Sequence, residues 1–546
     1  SLANVGNPFE AASRWYVNPA NVKELDSSIA TVSGTIKATL QEMRTMASAY
    51  WIDSKAKLRG NGTASLEGIL ADAAKVSPPA LVVVILYDLP NRDCHAKASN
   101  GEICCKYNAD RTCDYGAAGS CAEGLSEYES EYVDPFAAIV GKYSNAPYSV
   151  PVAVIIEPDS LPNIATNSQD QHCGNSATTT AYKSGIKYAV QKMAAQAPTA
   201  ALYIDAAHGG WLGWDDNAKD YAELVSELGI SPHIRGFSSN VANYQPLGVA
   251  CPASAFSNKL PLYCQQHSSD ACCADPCGLL TQWNSGPSEL NYVQVMNKYM
   301  KAVIGNGFSP HWLIDTGRNG VSNERTDCSN WCNIRGAGIG HRPTTKTALP
   351  DIVDAYFWLK TPGECDGCTQ TLPSGGTCAR YDTMCDSADS IGSRSSEPRA
   401  PEAGKWFDYE IKQLAANANL GPTNSPPPSP SPSPSPSPLS CPGGTMAACI
   451  GLCSSVNYTT CVTACAHNCP SGTAVEVAVS VPAHAKPFSP CTVGGVACTS
   501  GYVCQVDASM CMPTAAKRKE VMHNAVFRTA YEHAVKRIKA RGLVVH

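Results

Sequence analysis

Short apolar runs recur along the first 420 residues, at positions 81–89 (LVVVILYDL), 150–157 (VPVAVIIE), 201–205 (ALYID), 234–238, 311–315 (HWLID) and 355–359 (AYFWL). They are rich in β-branched and aromatic side chains and mostly lack polar alternation, as strands covered on both faces do. Between them lie stretches with helical spacing, among them 181–197 and 291–304. Repeated strand and helix units over some 400 residues predict an α/β fold, a distorted parallel (β/α) barrel of the TIM-like type. In such a barrel the residues that follow each strand converge on one face. Here those residues are polar: Asp93, Asp159, Asp205, Asn240 and Asn243, Arg318, then Lys360, Glu364 and Asp366. A single acid after a strand is most often a turn residue or a helix cap; several in register across one barrel point to a site.

The pattern breaks at 425–438, SPPPSPSPSPSPSP. Each proline fixes φ and removes a donor, so this stretch predicts an extended spacer of about 3.1 Å per residue. Four segments follow: a catalytic-size domain at 1–420, a linker at 421–440, a small Cys-rich module at 441–512 and a basic tail at 513–546. Cys449/Cys453 and Cys461/Cys465 sit one helical turn apart, which predicts a disulfide-stapled helical hairpin. That module holds no tryptophan, so a flat sugar platform there is poorly supported, and attachment to a wall polymer or a protein stands beside glucan binding. The tail, with Lys517-Arg-Lys519 and Lys536-Arg537, reads as a solvated helical face or an attachment to an acidic polymer.

Composition narrows the class. The chain has 27 cysteines, 17 of them before residue 420, a density that reducing compartments do not sustain without metals. The spacings are not those of zinc sites, so no metal and no cofactor are expected. The destination is secreted, extracellular or in a cell wall. Ser1-Leu-Ala-Asn-Val has neither a basic start nor an apolar core and reads as a processed N-terminus. No run of 18 apolar residues occurs, and no membrane span is expected. Asn61-Gly-Thr and Asn457-Tyr-Thr are N-glycosylation acceptors. Charged residues make up 16% and the net charge is −6, which gives no basic signature for nucleic acid and suits a neutral, hydroxyl-rich ligand.

Two kinds of residue fit that ligand. Hydrolysis of a glycosidic bond needs one protonated carboxyl for the leaving oxygen and a second group to handle water. Asp159, in Ile156-Glu-Pro-Asp-Ser-Leu161, is set in apolar sequence that raises its pKa toward an acid's range. Asp93, in Asn91-Arg-Asp-Cys94, is the natural neighbour, its charge raising Asp159 further while Arg92 or another donor keeps Asp93 ionised. Inversion would set two such carboxyls roughly 6.5–9.5 Å apart. Trp51, Trp211, Trp214 and Trp331 lie near this polar set in sequence. Each is either ordinary core or a platform for the apolar face of a sugar ring; the Gly-rich context His208-Gly-Gly-Trp-Leu-Gly-Trp214 favours the platform for Trp211 and Trp214.

These residues together resemble glycoside hydrolase family 6. The motifs are Tyr87-Asp-Leu-Pro-Asn-Arg-Asp-Cys94 running to Ala98-Ser-Asn-Gly-Glu102, Ile155-Ile-Glu-Pro-Asp-Ser-Leu161, Tyr203-Ile-Asp-Ala-Ala-His-Gly-Gly-Trp-Leu-Gly-Trp214, Asn240-Val-Ala-Asn-Tyr244, Asp315-Thr-Gly-Arg318 and Gly363-Glu-Cys-Asp-Gly367. The likeness spans about 5–418. It implies an inverting hydrolase of β-1,4-glucan, acting on cellulose or cello-oligosaccharides. It implies Asp159 as general acid, Asp93 as the acid that supports it and relays a proton from water, Ser99 on the water path, Tyr87 favouring a distorted sugar, and Asp366 as the disputed base. It implies sugar contacts from Asp205, His208, Asn243, Lys360 and Glu364, stacking on Trp51, Trp211, Trp214 and Trp331, and Arg318 as a supporting cation at the substrate site. Pairs Cys94 with Cys173 and Cys332 with Cys385 are implied as loop disulfides, leaving Cys365 free.

The chain departs from the pattern at His95 and Lys97, in a Cys-rich insertion at 102–133 and in a second at 251–277. The long stretches after Asn100 and from 365 to 406 read as loops over a tunnel that releases cellobiose. An open-cleft endoglucanase, or a wall-associated glucan-binding protein that only keeps the scaffold, are the other readings.

Overall fold

The computed structural model describes residues 6–422 except 117 and 306, together with short strands between 484 and 513. The chain divides into two units, Ser1–Pro426 and Pro427–His546. In the first, seven strands form one parallel sheet: β1 (Tyr50–Ile52), β2 (Val82–Leu86), β3 (Val152–Ile156), β4 (Ala201–Asp205), β5 (Gly236–Ser239), β6 (His311–Asp315) and β7 (Val353–Phe357), in that spatial order. The sheet curls, and a parallel bridge between Ser48 and Trp358 joins its two edges. The expected (β/α) barrel is present with seven strands, closed by that bridge rather than by a full ladder.

The side-chain period of two explains why the strands read as continuous apolar runs. Val83, Ile85, Ala153, Ile155, Tyr203, Leu313, Ala355 and Phe357 fill the barrel interior. Val82, Val84, Leu86, Val152, Val154, Ile156, Leu202, Ile204, Trp312 and Ile314 belong to the larger cluster shared with the surrounding helices. Ser176–Gln196 is one such helix. Its buried Ala177, Ala181, Ile186, Ala189, Val190 and Met193 mark a single stripe, and the Asn175 side chain caps its start.

The sequence patterns misplaced two edges. β1 has only three residues, too few for an apolar run to stand out in the sequence. β7 begins at Val353, two residues before the apolar run, because Asp354 is buried in the strand. Tyr203 Oη donates to Asp354 Oδ2 at 2.6 Å, and Arg235 Nη2 donates to Oδ1 at 2.7 Å. An irregularity in the β6–β7 register falls at the same point. A buried acid so neutralised is invisible to hydrophobic patterning.

Eight disulfides tie the described loops. Cys94–Cys173 and Cys332–Cys385 are among them, and Cys365 is free and buried. The adjacent cysteines separate: Cys104 pairs with Cys113 and Cys105 with Cys121, while Cys272 pairs with Cys251 and Cys273 with Cys264. No described helix is long and apolar enough to cross a membrane.

In the second unit His484–Ala485 pairs in parallel with Ala497–Cys498, and Tyr502–Gln505 pairs antiparallel with Met510–Pro513. The Pro/Ser spacer, the stapled helical hairpin, Asn457 and the basic tail lie outside the described residues.

Candidate active site

Backbone strain gathers at one end of the barrel. Twelve described non-glycine residues have positive φ, and seven of them follow strands there: Asn91 and Asp93 after β2, Glu157 and Asp159 after β3, Ala207 after β4, Asn240 and Ala242 after β5. Such conformations persist where surrounding structure holds them, and they cluster at sites that aim side chains.

The loop after β2 is built around Arg92, which is 5% exposed. Its Nε donates to Ser99 O and its Nη1 to Asp53 O, both at 2.9 Å, and its guanidinium lies 4.2 Å from the Tyr87 ring centre. Asn100 Nδ2 donates to the carbonyls of Arg92, Asp93 and Ala96 at 3.1–3.2 Å. The loop thus forms a closed ring that presents Asp93. Tyr87 Oη donates to Asp93 Oδ1 at 2.9 Å, and Ser99 hydrogen-bonds the same carboxylate. Burial raises the Asp93 pKa; Arg92, Ser99 and Tyr87 each pull it down without cancelling the rise. Arg92 and the two hydroxyl donors all favour the ionised form of Asp93, against its burial.

Asp159 sits at φ 62° immediately before the helix Ser160–Thr166. Its carbonyl accepts from Asn163 Nδ2 at 2.7 Å, and its N–H donates to Asp205 Oδ2 at 3.0 Å. Burial, then the charges of Asp205 and Asp93, push its carboxyl well above the usual range. Asp205 is also raised by burial, but it accepts from the Asp159 and Ala207 N–H groups and from Ser238 Oγ. These bonds favour the ionised form of Asp205. No comparable donor meets the Asp159 carboxyl, so of the two acids Asp159 is the one that keeps a proton.

The remaining expected residues fall into two groups. Trp51, His208, Trp211, Trp214, Asn243, Trp331 and Glu364 are partly open. Trp51 Nε1 donates to Leu359 O at 2.9 Å and its ring meets Tyr87 edge-on at 5.0 Å. Lys360 Nζ lies 5.4 Å from that indole and 4.0 Å from Glu364 Oε2. Burial lifts Glu364 to about 7. Asn243 Nδ2 approaches His208 Nε2 at 3.1 Å, and burial lowers His208 to about 3, so this imidazole is neutral. Trp211 Nε1 donates to Thr166 Oγ1 at 2.7 Å, and Trp331 packs on Ala98, Cys332 and Cys385.

The second group turns inward. Asp205 is 1% exposed, its carboxylate spent on the bonds above. Arg318, also 1% exposed, donates from Nη1 to both Asp366 oxygens at 2.7–2.8 Å and from Nη2 to Ala242 O. Asp366 further accepts from Tyr244 Oη at 2.8 Å and Asn333 N at 2.9 Å. Asp205 and Arg318 are buried, and the carboxylate of one and the Nη groups of the other meet protein partners. Asp366 has both oxygens engaged, a poor arrangement for taking a proton from water.

Two stapled segments flank the Asp93 loop. His95 Nδ1 meets Asp170 Oδ2 at 2.9 Å beside Cys94–Cys173. On the other side Lys97 N donates to Asp382 Oδ2 at 2.7 Å, and Arg380 Nη1 to Asn100 O at 3.3 Å. Gly367 permits this approach, since a Cβ there would meet Cys385 Sγ at 2.6 Å and the Ala98 side chain at 2.8 Å.

This geometry has close relatives, and the family model for Glycosyl hydrolases family 6 matches residues 10–418. The chain belongs to glycosyl hydrolase family 6. Among family 6 relatives, Exoglucanase 3 of Agaricus bisporus is 35% identical over 422 residues, 76% of this chain and 80% of the relative. The 1,4-beta-D-glucan cellobiohydrolase C of Emericella nidulans is 34% identical over 423 residues, covering 76% and 79%. Of solved structures, the CcCel6A catalytic domain in complex with p-nitrophenyl beta-D-cellotrioside aligns at TM-score 0.59 and 32% identity, over 76% of this chain and 98% of that one. The family 6 enzyme CcCel6C from Coprinopsis cinerea aligns at TM-score 0.59 and 33% identity, over 76% and 100%.

Against that family 6 frame, the insertion after Asn100 supplies a residue the sequence reading missed. Tyr115 Oη accepts from Asn100 Nδ2 at 3.0 Å, and its ring stacks on His172 at 4.7 Å. Tyr115 O accepts from Asn175 Nδ2 at 3.0 Å. The doubly stapled insertion thus braces the Asp93 loop against the 167–175 segment. Only the cysteines around Tyr115 hinted at an ordered loop. Glu289 was missed too. It accepts from Gly209 N at 2.9 Å beneath the His208 loop, and burial lifts it to about 8.

Proposed function

We propose that this chain hydrolyses the β-1,4 bonds of cellulose and cello-oligosaccharides with inversion, Asp159 acting as general acid. Its proton passes to the glycosidic oxygen as the bond from C1 to that oxygen breaks. Water attacks C1 from the opposite face and gives up a proton toward Asp93, along a path that includes Ser99. Tyr87, bonded to Asp93, favours the distorted form of the sugar at the cleaved bond. The observation that carries this reading is the unequal pair of acids: donors favour the ionised form of Asp205, while burial and two neighbouring acids push the Asp159 carboxyl well above the usual range. The proton goes to the product and the water proton to Asp93, so no metal or cofactor enters the balance.

Trp51, Trp211, Trp214 and Trp331 serve as stacking platforms, and His208, Asn243, Lys360 and Glu364 as polar contacts to sugar hydroxyls. The stapled segments on either side of the Asp93 loop favour a roofed groove and release of cellobiose from a chain end. The cellobiohydrolase names of the relatives agree with this. Proton NMR of the first product formed from cellopentaose checks the stereochemistry: the α-anomer is expected, and initial β-anomer would contradict inversion. A slow fall in viscosity of a soluble β-glucan relative to sugar released supports chain-end action; a fast fall indicates an open cleft.

Eight disulfides fit an oxidising, extracellular setting. In this reading residues 1–420 form the catalytic domain, 421–440 a spacer, and 441–546 a tethered module with a tail. Deleting 441–546 and measuring retention on cellulose and on an acidic wall polymer identifies what that module holds.

A further inference from the structure

Of the nine tryptophans in the chain, Trp283 is the exposed one among the described residues, at 39%. No ring contact or hydrogen bond from its indole to a described residue exists. It caps the short turn Leu280–Gln282 with φ 63° and ψ 24°, a left-handed conformation rare for a bulky side chain. A large apolar ring held out to solvent in a costly backbone state calls for a reason.

Its surroundings supply one. Trp214 Nε1 donates to Gln282 O at 3.0 Å, Trp214 and Asn284 form an antiparallel bridge, and Ser285 N donates to Gly213 O at 2.8 Å. Asn284 is fully buried and donates to Gly209 O at 2.8 Å, so the two neighbouring side chains diverge, one inward and Trp283 outward. The segment is tied down. The Asp275 carboxylate accepts from Leu279 N and Leu280 N at 2.7–2.8 Å, and Cys277–Cys328 ties it to the loop after β6. The backbone that carries Trp283 thus lies one residue from the bridge to Trp214.

We infer that Trp283 is a further sugar platform, stacking on a pyranose unit of the β-1,4-glucan chain beyond the one on Trp214. The inference rests on the proposed glucanase activity. It extends the binding groove by a position just past the insertion at 251–277, which none of the motifs quoted above contains. The apolar face of a glucose ring covers an indole, and its equatorial hydroxyls remain in water. Such a contact is felt by long chains and not by those too short to reach it.

The test compares Trp283→Gly and Trp283→Tyr in the full chain, reading kcat/KM for cellohexaose and for cellotetraose. Glycine accepts a φ of 63° without strain, so the Tm of Trp283→Gly is expected at or above that of the parent. The ratio of the two kcat/KM values is expected to fall about fivefold to tenfold in Trp283→Gly and to stay near the parent value in Trp283→Tyr. An unchanged ratio in Trp283→Gly, or equal losses on both substrates, would overturn the platform while leaving the glucanase reading intact. A parent that turns over neither substrate overturns both.

Discussion

At the scale of single residues, the site depends on where protons rest. Asp159 lies between two acids that raise its pKa, Asp205 and Asp93, so it stays protonated to higher pH than an ordinary aspartic acid. Replacing Asp205 by Asn removes a negative charge and lowers the Asp159 pKa. The alkaline limb of the kcat/KM profile should then move to lower pH by about one unit; an unmoved limb would show that Asp205 does not act on Asp159. Tyr87→Phe removes a hydrogen bond that stabilises ionised Asp93. The Asp93 pKa rises, so the acid limb should move to higher pH. Both assignments use side chains whose sequence neighbours already marked them. The sequence did not tell the inward acids from the open ones, because Asp205 and Asp366 follow strands just as Asp159 does. Which carboxylate meets Arg318 and which is left without such a partner is decided by residues 33 to 122 positions away.

Elements show a similar division. The buried strands could be read from their β-branched runs, and the helices from their stripes. The three-residue strand Tyr50–Ile52 could not, since its length carries no period. The brace through Tyr115 was equally hidden, because it joins the 102–121 insertion to Asn100 and His172 by contacts that leave no local pattern. Tyr115→Phe keeps the stack on His172 and deletes the hydroxyl that Asn100 donates to. The expected result is a several-fold lower kcat with little change in KM for cellotetraose, and a stability loss of about 1 kcal/mol. Tyr115→Ala, which also removes the stack, should lower kcat further; equal kcat in parent and both variants would remove the brace from the account.

Across the whole molecule, several buried carboxyls share one direction of shift. Burial lifts Glu157 to about 7, Glu289 to about 8 and Asp315 to about 6. Folded pKa values above the unfolded ones mean that the folded state holds more protons between the two. The stability these three groups contribute is therefore full below about pH 4 and declines as pH rises toward 8, by up to about 1.4 kcal/mol per pH unit per such group. Thermal denaturation should give a higher Tm at pH 5 than at pH 8, and Glu289→Gln should flatten that slope; a Tm that climbs with pH across this window contradicts the assignment. The same acid preference suits a site whose donor must stay protonated. That donor is most directly tested by turnover of cellopentaose with Asp159→Asn, folded as the parent is. A rate lower by about 100-fold to 10,000-fold is expected, and a rate equal to that of the parent would contradict the role of Asp159 as proton donor.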